Sequence, residues 1–262
     1  MSQTSVSRSD RSSGVLREQC QQVLKLTLNR PEKRNALTSE MYLGLAQALR
    51  AAAEDPGIHV VLLRGQTGAF CSGNDIESFL GGGRVDADHP VFQFMHALAD
   101  CPLPVVASVD GMAVGIGATL LLHCDLVYAS PRSRFQFPFA RLGLCPEFAS
   151  SLLLPRIVGA TRASAALLLG EPIPAQHALD WGLVNELIPE GSLDNHACNR
   201  AQALAALPPE AVQTSRRLLR AALGQEVAET MAREQTEFLR LLATPQVQQG
   251  FQDFLAARKS KE

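Results

Sequence analysis

The residues of this chain with the clearest chemical potential are glycines. The stretch Val105-Val106-Ala107-Ser108-Val109 is small and β-branched, Asp110-Gly111 is turn chemistry, and Gly115, Gly117 and Ala118 open an apolar run over 118–122. This order predicts a strand buried on both faces, a turn, and a short buried helix. Glycines at a helix start leave main-chain N–H groups uncovered, at the end where the helix dipole favours negative charge. Such an end can hold an anion that binds, or one that forms during a reaction. Close packing of a helix on a sheet accounts for the same glycines. A second turn of this kind, Gly68-Ala69-Phe70-Cys71-Ser72-Gly73-Asn74-Asp75-Ile76, follows the run Val60-Val61-Leu62-Leu63 about forty residues earlier. Two such turns facing each other would give one carbonyl oxygen two main-chain donors, an oxyanion hole.

The elements that must position these turns follow from periodicity. Two short strands are predicted over 15–28, with Val23, Leu24, Leu26 and Leu28 as apolar positions. A polar loop with Arg30, Lys33 and Arg34 leads to Thr38, an N-cap for a helix to about Glu54 with Tyr42, Leu45, Ala46, Leu49 and Ala53 on one face. Residues 59–63 read as a buried strand, and Gly81-Gly82-Gly83-Arg84 as a loop before a helix that carries Phe92, Phe94 and Met95. Asp75 and Asp125 read as turn and cap residues serving local N–H groups, and His123 as a satisfied core histidine. Beyond Ser151 the chain turns helical: 161–169, 174–181, then 201–206, 209–223, 226–242 and 247–257, with a small strand over 183–188. The apolar faces there exceed what one short bundle buries, which points to subunit packing.

Composition narrows the function. With 262 residues, 46% of them hydrophobic, and a formal charge of −2, the chain can bury a large core and gives no reason to expect nucleic acid or an acidic membrane surface. No apolar run approaches the ~20 residues needed to span a bilayer. The six cysteines are scattered without a CxxC pair, which fits reduced thiols in the cytoplasm, and the histidines lack metal-ligand spacing. No metal is expected. Residues 1–14 are Ser- and Arg-rich without an apolar stretch, so a disordered tail is expected rather than a secretory signal. The final Ser260-Lys261-Glu262 is not a Ser-Lys-Leu peroxisomal address.

Three segments in register, Asn29-Arg30-Pro31-Glu32-Lys33-Arg34-Asn35-Ala36-Leu37, Phe70 to Ile76 and Asp110 to Gly117, resemble those of the crotonase (enoyl-CoA hydratase/isomerase) superfamily. The similarity runs from about Val23 to the C-terminus. It implies an α/β fold, a spiral of repeated β-β-α units over 15–195, followed by a helical C-terminal oligomerisation region over 196–262. It also implies acyl-CoA thioester substrates, no cofactor beyond the CoA of the substrate itself, and a homotrimer or dimer of trimers. By motif position the two amides that hold a thioester enolate are those of Asn74 and Ile116. Lys33 and Arg34 fall in the segment that meets CoA, with Ser72, Gly73, Asp75, Ile76 and Gly115 completing the substrate-binding set. Lys259 and Lys261 are weaker candidates for the CoA phosphates.

Within the family, hydratases use two glutamates on a water molecule. Those positions correspond here to Thr119 and about Phe139, neither of which can transfer a proton. The segment Leu142-Gly143-Leu144-Cys145-Pro146-Glu147-Phe148 instead resembles the Pro-Glu segment of the peroxisomal-type Δ3,Δ2-enoyl-CoA isomerase branch, which makes Glu147 the expected base. Flanked by Phe148, Leu144 and Cys145, that carboxyl would be partly desolvated and its pKa raised. The competing reading is a carboxylate at the N-terminus of a helix over 149–154. Rearrangement of an epoxide or oxepin thioester, and a non-catalytic acyl-CoA-binding role, also fit the resemblance. Cys71 reads as a packed residue rather than a nucleophile.

Overall fold

The computed structural model describes residues 14–66, 68–77, 85, 86 and 88–259, with side chains to 253. The expected tail, the loop at Gly81 to Arg84 and the side chains of Lys259 and Lys261 lie outside the described residues. Strands β1 (Val15–Cys20) and β2 (Val23–Leu28) form a hairpin through Gln21, whose backbone is left-handed. Helix α1 (Ser39–Glu54) follows, capped by the Thr38 hydroxyl on Met41 N–H as expected. Then come β3 (Val60–Gly65), α2 (Pro90–Ala99), β4 (Val105–Val109), β5 (Met112–Val114), α3 (Ile116–Thr119), β6 (Leu126–Ala129) and β7 (Arg134–Gln136).

From β3 to β7 successive β pairs share one plan. The first strand of each pair enters a six-stranded sheet ordered β1-β2-β3-β4-β6-β9, where β9 is Glu186–Leu187, and all pairings after the hairpin are parallel. The second enters a small sheet ordered β5-β7-β8, where β8 is Ile173–Pro174. After β3 that second place is taken by a single bridging residue, Cys71, paired with Ala113 of β5. The chain thus winds from one sheet to the other, the β-β-α spiral anticipated above.

The remaining helices are α4 (Ser150–Val158), α5 (Ala160–Leu169), α6 (Ala175–Asp180), α7 (Glu190–Ala205), α8 (Pro209–Ala221), α9 (Gly224–Leu242) and α10 (Pro245–Lys259). Burial on both faces explains the unbroken apolar strands. Val61 and Leu63 of β3 join the main core with α1 and α2, while Val60 and Leu62 pack with Leu193, Ala197 and Ala201 of α7 on the other face. Helix α7 therefore starts within the spiral and crosses position 195.

Several local expectations need correction. The run over 118–122 is not one helix: α3 ends at Thr119 and a 3-10 turn, Leu120–His123, continues it. The buried face of α1 ends on Ala52, with Ala53 exposed. Asp125 does not serve local N–H groups. It accepts from Val105 N–H at 2.8 Å and pairs with Arg216 and Arg220 of α8, which pins α8 to the sheet. Asp75 also pairs with Arg30, from across the loop.

Candidate active site

The two glycine turns converge, and main-chain bonds bring them together. Cys71 N–H donates to Met112 O and Val114 N–H to Cys71 O, both at 2.9 Å, which stitches the first turn to β5 just ahead of the second. Leu37 N–H donates to Gly73 O, and Asp75 N–H to Leu37 O, which anchors the first turn from its other side. Two glycines make the approach possible. Gly73 sits at φ +99°, and a Cβ on Gly117 would lie 2.7 Å from both Cβ and O of Cys71. Gly115 donates its own N–H to Gln136 O of β7, and Ile116 is the first residue of α3. Asn74 N–H lies between the two ladder bonds to Leu37 and Ile116 N–H at a helix start. Among the described residues neither has an acceptor. These are uncommitted donors of the sort an oxyanion needs.

A carboxyl stands on a cavity that Asn74 also lines. Glu147 is only 5% exposed, and Thr119 Oγ1 donates to its Oε1 at 2.6 Å. Burial pushes the Glu147 pKa up to about 8, with the Thr119 hydrogen bond pulling it back and the nearby Glu234 carboxylate adding to the rise. Glu147 and Asn74 border one narrow, mostly apolar cavity, completed by Phe92, Met95, Phe148 and Phe238. Thr119 also lies 3.4 Å from Ile116 O, so one hydroxyl sits between the carboxyl and the second turn.

The competing reading of Glu147, a carboxylate serving the start of α4, fails on geometry. That place is taken by Glu234 of α9, which accepts from Ala149 N–H at 2.6 Å and Ser151 N–H at 2.9 Å. Phe148 and Ala149 are both left-handed, at φ 59° and 54°, and so turn the chain sharply after Glu147. His123 holds the other side of this turn: its Nε2 meets Phe148 O at 2.8 Å, and its ring stacks on Phe148 at 3.9 Å. Burial lowers the His123 pKa to about 4, so the ring is neutral and donates through Nε2 as a core histidine. The Cys71 thiol is pushed up to about 12 by burial, which leaves no thiolate for nucleophilic work. No cluster of metal-ligating side chains occurs among the described residues.

The other candidates divide. Ser72 uses its hydroxyl and N–H on Lys33 O and Arg34 O, so the loop carrying Lys33 and Arg34 is tied directly to the first turn. Arg34 is exposed, Lys33 is half-buried, and no ion pair engages either among the described residues. Ile76 is partly buried against the core, and the Asp75 carboxylate is engaged by Arg30. Phe92 and Met95 line the cavity, whereas Phe94 packs between Tyr42 and Phe148. The sequence reading missed Tyr42, whose hydroxyl donates to Asn74 Oδ1, and Asn35, fully buried, whose amide holds Ala69 O. It missed Glu234 too, for which a carboxylate set among Met231, Phe238 and Leu242 was the available signal.

Comparison with known proteins shows which chains this one is similar to. The family model described as enoyl-CoA hydratase/isomerase matches residues 18–261. Enoyl-CoA delta isomerase 2 of Rattus norvegicus is 36% identical over 219 residues, which cover 81% of this chain but only 56% of the rat protein. The chain thus spans about half the length of that relative. The 1,2-epoxyphenylacetyl-CoA isomerase of Escherichia coli is 36% identical over 71% of this chain and 74% of its own. The crystal structure of an enoyl-CoA hydratase/isomerase from Pseudoalteromonas atlantica superposes with a TM-score of 0.89 at 38% identity, covering 93% of this chain and 97% of that one.

Proposed function

Because this chain belongs to the enoyl-CoA hydratase/isomerase family, we propose that it is an enoyl-CoA delta isomerase that shifts the double bond of a 3-enoyl-CoA into conjugation as the 2-enoyl-CoA. On this reading the thioester oxygen accepts hydrogen bonds from Asn74 N–H and Ile116 N–H. Ionised Glu147 removes a proton from C2, and the electron pair moves onto the thioester oxygen to give the enolate. As the enolate collapses, the C2–C3 double bond forms, the C3–C4 pair takes a proton at C4, and Glu147 returns the one it holds. Lys33 and Arg34 meet the CoA phosphates at the mouth. No cofactor is needed beyond the CoA of the substrate.

The observation that carries this reading is a single buried carboxyl, Glu147, on the same cavity as Asn74, with Thr119 and Phe139 where a hydratase would carry its pair. A one-base reaction needs no more. Leu218 and Leu219 of α8, 69% and 81% exposed, support the trimer or dimer of trimers proposed with it. No described helix is long and apolar enough to cross a membrane. The cytoplasmic location proposed with this reading is supported by the free cysteines.

The test is conversion of 3-hexenoyl-CoA followed by absorbance, beside a Glu147→Gln variant. The wild type is expected to conjugate the substrate, and E147Q to lose about 10²–10⁴ in kcat while still binding CoA. Because the base works ionised, kcat/KM should rise with pH through about 8. Equal rates for E147Q, or water addition to crotonyl-CoA at a comparable rate, would replace this reading.

A further inference from the structure

We infer that Glu234 is a positioning residue for Glu147: by accepting Ala149 N–H and Ser151 N–H, it holds the left-handed Phe148–Ala149 turn that aims the Glu147 carboxyl at Thr119 and the cavity. Left-handed backbone is unfavourable for an L-residue, so two such residues in sequence persist only where their surroundings enforce them. The enforcing contacts come from opposite sides. His123 grips Phe148 O, and Glu234 takes the amides that follow. Both Glu234 oxygens are used, and the residue is only 8% exposed, so its carboxylate has been moved out of water to make these bonds. Its neighbours one turn before and after on α9, Met231 and Phe238, line the same cavity as Glu147, with Gln235 between them. One stripe of α9 therefore shapes the cavity wall and also sets the direction of the carboxyl that works in it.

Glu234 also acts through charge: burial raises its own pKa, the bonds to Ser151 and Ala149 pull it back, and once ionised it favours the protonated form of Glu147. The other titratable groups facing Glu147 are Tyr42 of α1, Cys71 of the first turn and Cys145, all held protonated by burial, and His96 of α2 at the cavity edge. Glu234 is thus the ionisable neighbour whose removal should move the Glu147 titration downward in pH.

The inference rests on the isomerase reading only for its kinetic arm. In the infrared arm, the protonated-carboxyl band of Glu147, identified by its loss in E147Q, is titrated in D2O in wild type, Glu234→Gln and Glu234→Asp. E234Q places an amide NH2 against a backbone N–H and removes the charge. It is expected to lower kcat about tenfold or more with KM within about threefold, and to move the Glu147 midpoint down by about half a pH unit or more. E234D keeps the charge but is one methylene too short to reach both amides. It is expected to lower kcat with the midpoint nearly unmoved. The inference is overturned if both variants keep kcat within twofold and titrate Glu147 as wild type does, or if neither gives folded protein, since the tie would then belong to the whole fold. A wild type inactive on 3-hexenoyl-CoA, with the infrared shift intact, would remove the isomerase reading and leave the role of Glu234 standing.

Discussion

The two walls of the cavity are built on opposite principles. The donor wall is main chain: two turns stitched by ladder bonds, with close approach permitted by the absence of a Cβ at Gly117. The carboxyl wall is one side chain on a turn of non-glycine residues in left-handed backbone, braced from α9 and His123. The donor wall is therefore indifferent to which side chains ride on it, and it carries Asn74 and Ile116 without losing an N–H. The carboxyl wall depends on each atom of Glu147 and on the groups that touch it. Tolerance of substitution should differ sharply between them.

The sharpest break of that contrast is Gly117→Ala, which adds a side chain where the donor wall has no room. The new Cβ would meet Cys71 Cβ and O at 2.7 Å, so the turns must part. Losing one aligned donor is expected to cost about 10²-fold or more in kcat, measured on 3-hexenoyl-CoA. On the carboxyl wall the cost of the site itself can be read from stability. The Glu147 pKa is raised from about 4.5 to about 8 by folding, so its contribution is fully favourable only below about pH 4.5 and is lost as pH rises through 8. E147Q keeps the acceptor for Thr119 and removes the buried charge. It should gain on the order of 5 kcal/mol over wild type at pH 9 in urea denaturation, and nothing at pH 4.

How much of this was legible beforehand follows the same division. The donor wall could be read because glycine and Asp-Gly turns leave a strong local trace, and the Thr38 cap and the buried strands were equally plain. Their convergence was not legible, since it hangs on one bridging residue, Cys71, and on β5, a strand of three residues. The carboxyl wall was legible in Glu147 alone, through the resemblance of its Pro-Glu segment. Thr119 drew notice only as a missing glutamate, and nothing local marks it as the donor to Glu147. Glu234 lies 87 positions further on, within an ordinary amphipathic helix. Asp125 misled because a carboxylate that looks local serves arginines distant in sequence, which only the tertiary fold brings near.

A milder substitution tests Thr119. Thr119→Val keeps the shape and removes the donor to a buried carboxyl, and a hydrogen bond to a charged group contributes about 1.5–3 kcal/mol. Since this bond holds the Glu147 pKa down, its loss should move the kcat/KM profile to higher pH, with a rate loss of about tenfold at pH 7. An unmoved profile would mean that Thr119 merely packs.

The smallest catalytic effect is expected where the two walls differ most, at Asn74. Its N–H belongs to the backbone, so Asn74→Ala should keep kcat on 3-hexenoyl-CoA within about threefold of wild type. Its side chain has a separate duty: Oδ1 accepts the hydroxyl of Tyr42, which is 1% exposed and packed on Phe94. Stranding that hydroxyl should cost about 1–3 kcal/mol in urea denaturation, whereas removing both partners in Y42F/N74A should recover most of the loss. A hundredfold fall in kcat for N74A with stability unchanged would reverse the assignment, making the side chain rather than the main chain the working part of that turn.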